Sequence, residues 1–324
     1  MGKISIALVT GGDVAERDIS LKSSQTIYNH LSQAKYEVRI IVLEKGKFID
    51  QLSNLPLDLN DFSLSLPTKN RITFDLVYQM LHGHPAEDGG LQGYFELVGI
   101  PYTGCGILCS AVTFSKQATK DYLKSFNIPM ANSKVVHKGQ VEQLPVIIGD
   151  LRFPLFVKPN KNGSSYGVSK VTQSADLSAA VALAFKYDDE VIIEEFMKGR
   201  EFSNGVLNYQ GSIRVLPITE IKTTREFFDY QAKYENESEE ITPAELTPAE
   251  VEVCQKLTEK IYKVLNGKGF CRVDYILHNR QFKLLEINTI PGMSPNSIIP
   301  QQVKAAGLSL SDCLDEIVKE ALQK

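Results

Sequence analysis

A chain of 324 residues with 43% hydrophobic and 23% charged residues has the balance of a globular protein of two or three domains. A formal net charge of −4 and the lack of a basic run argue against a nucleic-acid partner held through its phosphates. No stretch approaches the ~18 continuous apolar residues of a membrane span. The opening MGKISIALVT is too short for a signal peptide with a cleavage site.

In chain order, ISIALV (4–9) predicts a buried strand, and TGGDVAERDIS turns it into a helix with Ile19, Ile27 and Leu31 on one stripe. EVRIIVL (37–43) and FDLVYQML (74–81) predict two further strands. HGHPAEDGGLQGYFELVGIPYTG then turns into another helix. This alternation predicts a parallel α/β unit over residues 1–104, with functional groups where strands end and helices begin. A helix is expected from Ser115 to Phe126. FPLFVKP and GVSKVT predict short strands around the turn NKNGSSY, followed by the helix SADLSAAVALAFKY and the strand EVIIEEF. Residues 105–193 are therefore expected to form an α+β unit with mostly antiparallel strands.

The last unit, 194–324, opens with two strands, EFSNGVLNY and IRVLPITEI. Residues 226–247 are charged, rich in Tyr and without a stable period, as expected of a long loop that is functional or disordered. A helix over Pro248–Leu265 and a hairpin, GFCRVDYIL and QFKLLEIN, follow.

The hairpin carries the strongest chemical signal. Side chains two apart on a strand share a face, so Arg272 joins Asp274, and Glu286 joins Asn288. Counting outward from a turn at His278-Asn279-Arg280 sets Asp274 opposite Glu286 to within one residue. Two close carboxylates repel unless a cation sits between them, and an oxygen-only donor set suits Mg²⁺. Arg272 has the shape to hold phosphate or carboxylate oxygens. The competing reading is a surface salt bridge across a hairpin.

Other pieces are weaker alone. Lys158 ends a buried strand, and Gly163-Ser164-Ser165 can lay N–H groups against an anion or form a plain turn. Lys116 near a helix start is individually no signal. Glu194, Glu195 and Glu201 mark a strand exit that can face an adenine edge or only solvent. Glu16 near a helix start can grip an amine, and His82 at a strand end is either structural or set over a carboxylate. The five Cys are odd in number and lack disulfide-framework spacing, so reduced, cytosolic thiols are expected. Cys105 and Cys109 have no nearby His or second Cys pair to complete a zinc site.

Taken together, GGDVAERDIS, LHGHPAEDGGLQGYFELVGIPYTG, FVKPNKNGSSYGVSKV, DYQAKY, GFCRVDYIL and LLEINTIPGMSPNSIIP closely resemble D-alanine–D-alanine ligases of the ATP-grasp superfamily. The resemblance runs in order from residue 4 to 320. It implies three domains with ATP between the central and C-terminal ones, D-alanine as substrate, two Mg²⁺ or Mn²⁺ ions, and a homodimer. It further implies ATP phosphate contacts from Lys116 and Lys158, an adenine clamp from Glu194 and the backbone of Glu195 and Met197, Glu201 at the ribose, and Lys233 as a cofactor-binding residue of the loop that closes over the site. By the same resemblance Asp274, Glu286 and Asn288 hold the metals, and Arg272 and the Gly292 backbone face an oxyanion. Glu16, with His82 nearby, holds the first D-alanine, and Ser297 the second carboxylate. Tyr234 and Ser164 would link the loop to Glu16. Two departures stand out: Asp13-Val14 replaces a small or hydroxyl-bearing pair, and Glu195 stands where many relatives have Lys.

Overall fold

The computed structural model describes residues 2–12, 16–161, 166–223 and 238–323. Its first sheet has the order β3-β2-β1-β6. β1 (Ile4–Gly11) pairs in parallel with β2 (Tyr36–Glu44) and with β6 (Leu76–Gln79), while β3 (Lys47–Asp50) adds an antiparallel edge. The parallel unit expected from the sequence therefore carries one reversed strand, because only Lys45 and Gly46, both at positive φ, separate β2 from β3. Gly11 also has φ near 93°. A Cβ there would lie 2.7 Å from the Leu43 carbonyl, so the end of β1 needs glycine to approach β2 this closely. A two-stranded ribbon, β4 (Leu64–Ser65) and β5 (Arg71–Ile72), lies beside this sheet in the chain.

The central sheet is entirely antiparallel, in the order β7-β10-β8-β9. Its strands are β7 (Ser133–His137), β8 (Leu155–Pro159), β9 (Ser169–Val171) and β10 (Glu190–Glu195). The helix expected over Ser115–Phe126 is observed at Lys116–Lys124, where the Ser115 side chain caps it by accepting from the Ala118 N–H.

The third sheet runs β13-β12-β11-β14-β15, with β11 (Arg200–Tyr209), β12 (Ser212–Thr223), β13 (Ser238–Ile241), β14 (Cys271–His278) and β15 (Gln281–Asn288). The expected structureless loop at 226–247 is corrected in part: Ser238–Ile241 forms an edge strand on β12, and the rest up to residue 237 lies outside the described residues. The Pro248–Val264 helix starts with a reciprocal cap between Thr247 and Glu250 and has Pro at its first position.

Among the described residues three hydrophobic cores hold the sheets. The first surrounds Ile6, Leu8 and Leu76 and draws Leu314, Ile317 and Val318 from the final helix, Leu310–Leu322. Each such fully buried aliphatic side chain contributes about 1.5–3 kcal/mol. The second core packs Leu123 and Ile128 of the central segment against Tyr275, Phe282 and Leu284. Leu284 N–H also donates to the Pro129 carbonyl at 2.8 Å, so β15 is tied to the central unit. Among the described residues no helix is long and apolar enough to cross a membrane.

Candidate active site

β14 and β15 turn at Asn279 and Arg280, both at positive φ, as a two-residue hairpin demands. From His278↔Gln281 the register counts out to Tyr275↔Leu284. The next pair would be Asp274↔Leu285, but a bulge adds one residue and sets Asp274 opposite Glu286 and Arg272 opposite Asn288. All four functional side chains thereby come together.

Asp274 is buried and heavily engaged. Ser203 Oγ donates to its Oδ1 at 2.6 Å, Arg272 Nη2 to Oδ2 at 2.8 Å, and Asn288 Nδ2 to Oδ2 at 3.0 Å. Burial opposes the Arg272 charge, but Asp274 first and then Glu286 and Glu240 raise its pKa still further above the ordinary arginine value. Among the described residues no group of three or more His, Cys, Asp and Glu side chains is arranged for a metal. The Asn288 amide completes the oxygen set with Asp274 and Glu286, and two carboxylates plus an amide fit a hard divalent cation.

Glu286 and Asn288 line a cavity of about 380 Å³ whose wall also draws residues from the first and central units. Glu16 and Glu87 enter from the first unit, Lys116 and Lys161 from the central one, and Glu286 and Asn288 from the hairpin. Glu16 stands just before the Arg17–His30 helix that follows β1. Lys116 begins its helix because Asn160, at the end of β8, accepts its backbone N–H at 3.1 Å and receives the Gln117 N–H on its side chain at 2.9 Å.

Behind Lys116 lies a buried ion triad. Lys120 Nζ donates to Glu194 Oε2 at 2.7 Å and to the Ala131 carbonyl at 3.1 Å, and Lys158 Nζ donates to Glu194 Oε1. Burial raises the Glu194 carboxyl, but the ammonium charges of Lys120 and Lys158 outweigh it and hold the group at about 2. Burial lowers the Lys120 ammonium, with the Glu194 charge opposing.

His82 lies behind the cavity wall. Its backbone N–H donates to Ser20 Oγ at 3.0 Å, and burial, ahead of the opposing Glu16 charge, lowers its pKa. Ser297 Oγ lies 2.7 Å from Ser294 Oγ, and Gly292 approaches so near that an added Cβ would sit 3.1 Å from Ser297 Oγ. Met293 N–H donates to Ser23 Oγ at 3.0 Å, tying this loop to the first helix. The Glu195 carboxylate turns toward Arg152, 3.1 Å away, and Asn132, 2.9 Å away, and its backbone N–H donates to the Asn132 carbonyl. Met197 lies partly buried between β10 and β11, and Glu201 sits on β11 opposite Ile221 and Ile276. Ser164, Lys233 and Tyr234 lie outside the described residues.

Family models for the N-terminus and C-terminus of D-ala D-ala ligase match residues 5–105 and 122–319. The chain belongs to the D-alanine–D-alanine ligase family. Curated D-alanine–D-alanine ligases from Flavobacterium johnsoniae and Phocaeicola vulgatus are 44% and 43% identical over 321 residues, covering 98% of this chain and 99% of each relative. D-alanyl-alanine synthetase A from Vibrio cholerae superposes with a TM-score of 0.89 at 28% identity over the whole of both chains. A D-Ala:D-Ser ligase from Enterococcus faecalis gives 0.86 at 30% identity, over 98% of this chain and 99% of that one. The ATP-grasp architecture expected from the sequence is thus borne out.

Three residues of the site escape sequence reasoning. Lys120 had a signal: it stands four residues after Lys116 and shares its helix face. Ser203 had none, since its role depends on β11 pairing with β14 at Ser203↔Asp274. Glu87 lies at the cavity wall, where its Oε2 accepts the Gly83 N–H at 2.8 Å. Burial first, then the Glu16 charge, raises its carboxyl to about 8.

Proposed function

We propose that the chain joins two D-alanine molecules into D-alanyl-D-alanine, with ATP cleaved to ADP and phosphate, as a step toward peptidoglycan precursors. The observation that carries this reading is one cavity lined together by a carboxylate, Glu16, a lysine, Lys116, and the oxygen donors Glu286 and Asn288. The first D-alanine carboxylate attacks the γ-phosphorus of ATP, ADP departs, and an acylphosphate forms. The amine of the second D-alanine attacks that carbonyl carbon, and phosphate leaves.

Glu16 holds the first ammonium, with His82 neutral beside it, and Ser297 holds the second carboxylate. Lys116 and Lys158 take the ATP phosphates, joined by Lys233, while Lys120 fixes Glu194 so that Glu194, Glu195 and Met197 receive the base and Glu201 the ribose. Asp274, Glu286 and Asn288 would hold two Mg²⁺ or Mn²⁺ ions, which when bound neutralise phosphate charge and polarise the transferring group. Arg272 and the Gly292 N–H are preorganised donors for the tetrahedral oxyanion. Ser164 and Tyr234 close the site against water, which protects the acylphosphate. The reading includes domains at 1–104, 105–193 and 194–324 and a cytoplasmic homodimer, tested by limited proteolysis, sedimentation and cell fractionation.

D-alanine labelled with ¹⁸O in its carboxylate tests the mechanism. One labelled oxygen is expected in the released phosphate for each turnover, and unlabelled phosphate would overturn the acylphosphate step. Competition between D-alanine and D-serine tests the acceptor, because the Enterococcus faecalis structure shows the same fold in a D-Ala:D-Ser ligase. Dipeptide with D-alanine in both positions is expected, and preferential D-alanyl-D-serine would reassign the second substrate.

A further inference from the structure

Cys105, Cys109 and Cys271 are buried together at the junction of the first unit with β14, apart from the cavity residues. Cys105 Sγ lies 3.5 Å from Cys271 Sγ across 166 residues of sequence. The two backbones already touch beside this pair: a Cβ on Gly269 would stand 3.1 Å from the Gly104 Cα. The Lys268 backbone N–H points at Cys105 Sγ from 3.5 Å. Cys271 immediately precedes Arg272, the side chain that binds Asp274 at 2.8 Å.

We propose that Cys105 and Cys271 form a reversible disulfide under hydrogen peroxide, and that its closure displaces Arg272 and slows the enzyme. The Cys105 thiolate attacks one peroxide oxygen, the O–O bond breaks, and a sulfenic acid and hydroxide result. Cys271 sulfur then attacks the sulfenic sulfur, the S–O bond breaks, and the Cys271 proton leaves with that oxygen as water. Two thiols are oxidised, and one peroxide is reduced to two waters. Hydrogen bonds from Cys109 and then from Cys271, together with the Lys268 N–H, push the Cys105 thiol down, so it is the attacking sulfur. The same bond to Cys105, then burial, pushes Cys271 up, so it resolves the intermediate. Closing the bond draws the sulfurs from 3.5 Å to about 2.05 Å, and the shift falls on β14 next to Arg272. Burial makes the reaction slow, because a reactant little larger than water must reach a closed site.

The test treats the reduced full-length protein with hydrogen peroxide over hours and follows intact mass, alkylatable thiols and ADP release. A loss of about 2 Da is expected. Three of the five thiols remain alkylatable, and an unreduced peptide pair joins Cys105 to Cys271. D-alanine-dependent ADP release falls by about tenfold or more, as a misplacement of roughly 1 Å can produce, and dithiothreitol restores it. Cys105→Ser keeps basal activity and abolishes both the mass loss and the sensitivity, whereas Cys109→Ser keeps the cross-link. Five alkylatable thiols after exposure that oxidises methionines would overturn the proposal, as would a Cys105–Cys109 bond. A cross-link with unchanged activity would overturn the displacement of Arg272. Only the activity arm rests on the ligase reading; the mass arm stands without it.

Discussion

Replacing Glu194 with Gln keeps its shape and removes the carboxylate that sits between two buried ammonium groups. Lys120 and Lys158 are about one-tenth exposed and Glu194 about one-twentieth. Gln offers one acceptor oxygen and turns an N–H₂ toward the other lysine, so one buried cation loses its counter-charge. Breaking a buried pair on one side costs about 3–5 kcal/mol. At about 2–4 °C per kcal/mol for domains of this scale, the melting temperature should fall by roughly 6–20 °C. The carboxyl, held at about 2, lies below its ordinary value, so its stabilisation is present above the ordinary carboxylate range and lost as pH falls toward 2. Glu194→Gln should therefore be most damaging at neutral pH and converge on the wild type in acid. Scanning fluorimetry across pH, with KM for ATP measured alongside, reads both effects. Adding Lys120→Met should recover part of the loss, since the mutations share a partner. An unchanged melting temperature at pH 7, or a loss that grows toward acid, would refute the triad's role.

Three further outcomes are expected. Glu286→Gln should lower kcat by orders of magnitude while leaving the melting temperature within a few degrees, and a soluble variant with near-normal turnover would remove Glu286 from the metal set. Ser203→Ala deletes the 2.6 Å bond to Asp274 and should raise the Mg²⁺ concentration for half-activity by about 10–100-fold at little cost in kcat at saturating metal; an unchanged Mg²⁺ titration would contradict it. Glu87, raised to about 8 by burial and the Glu16 charge, contributes stability below the ordinary carboxylate range that is lost as pH rises through 8. The melting temperature of the wild type relative to Glu87→Gln should thus fall from pH 5 to pH 8, and parallel curves would refute it.

Much of the fold follows from local pattern. The strand at Ile4–Gly11, the hairpin and the helix at Pro248–Val264 each carry period, turn or cap signals within a few residues. The reversed edge strand Lys47–Asp50 was less legible, because four residues carry little period and the direction comes from the tight Lys45-Gly46 turn. The hairpin face was legible to within one residue. Only the bulge at Leu285 decides that Glu286, rather than its neighbour, opposes Asp274, and a one-residue slip would send the carboxylate to the other face. Lys120 shares a helix face with Lys116, a signal within one turn, but its pairing with Glu194 spans 74 residues, and Ser203 and Glu87 depend on distant contacts or on burial in the assembled wall that no window of sequence reports. The cysteine cluster is the same case: Cys105 and Cys109 looked incomplete until β14 brought Cys271 to within 3.5 Å.

The central claim meets its most direct test in ADP release by the purified full-length chain with ATP, Mg²⁺ and single amino acids. D-alanine alone should elicit release, with one ADP for each D-alanyl-D-alanine identified by mass. ADP release that is independent of D-alanine, or nucleotide binding without turnover, would contradict it.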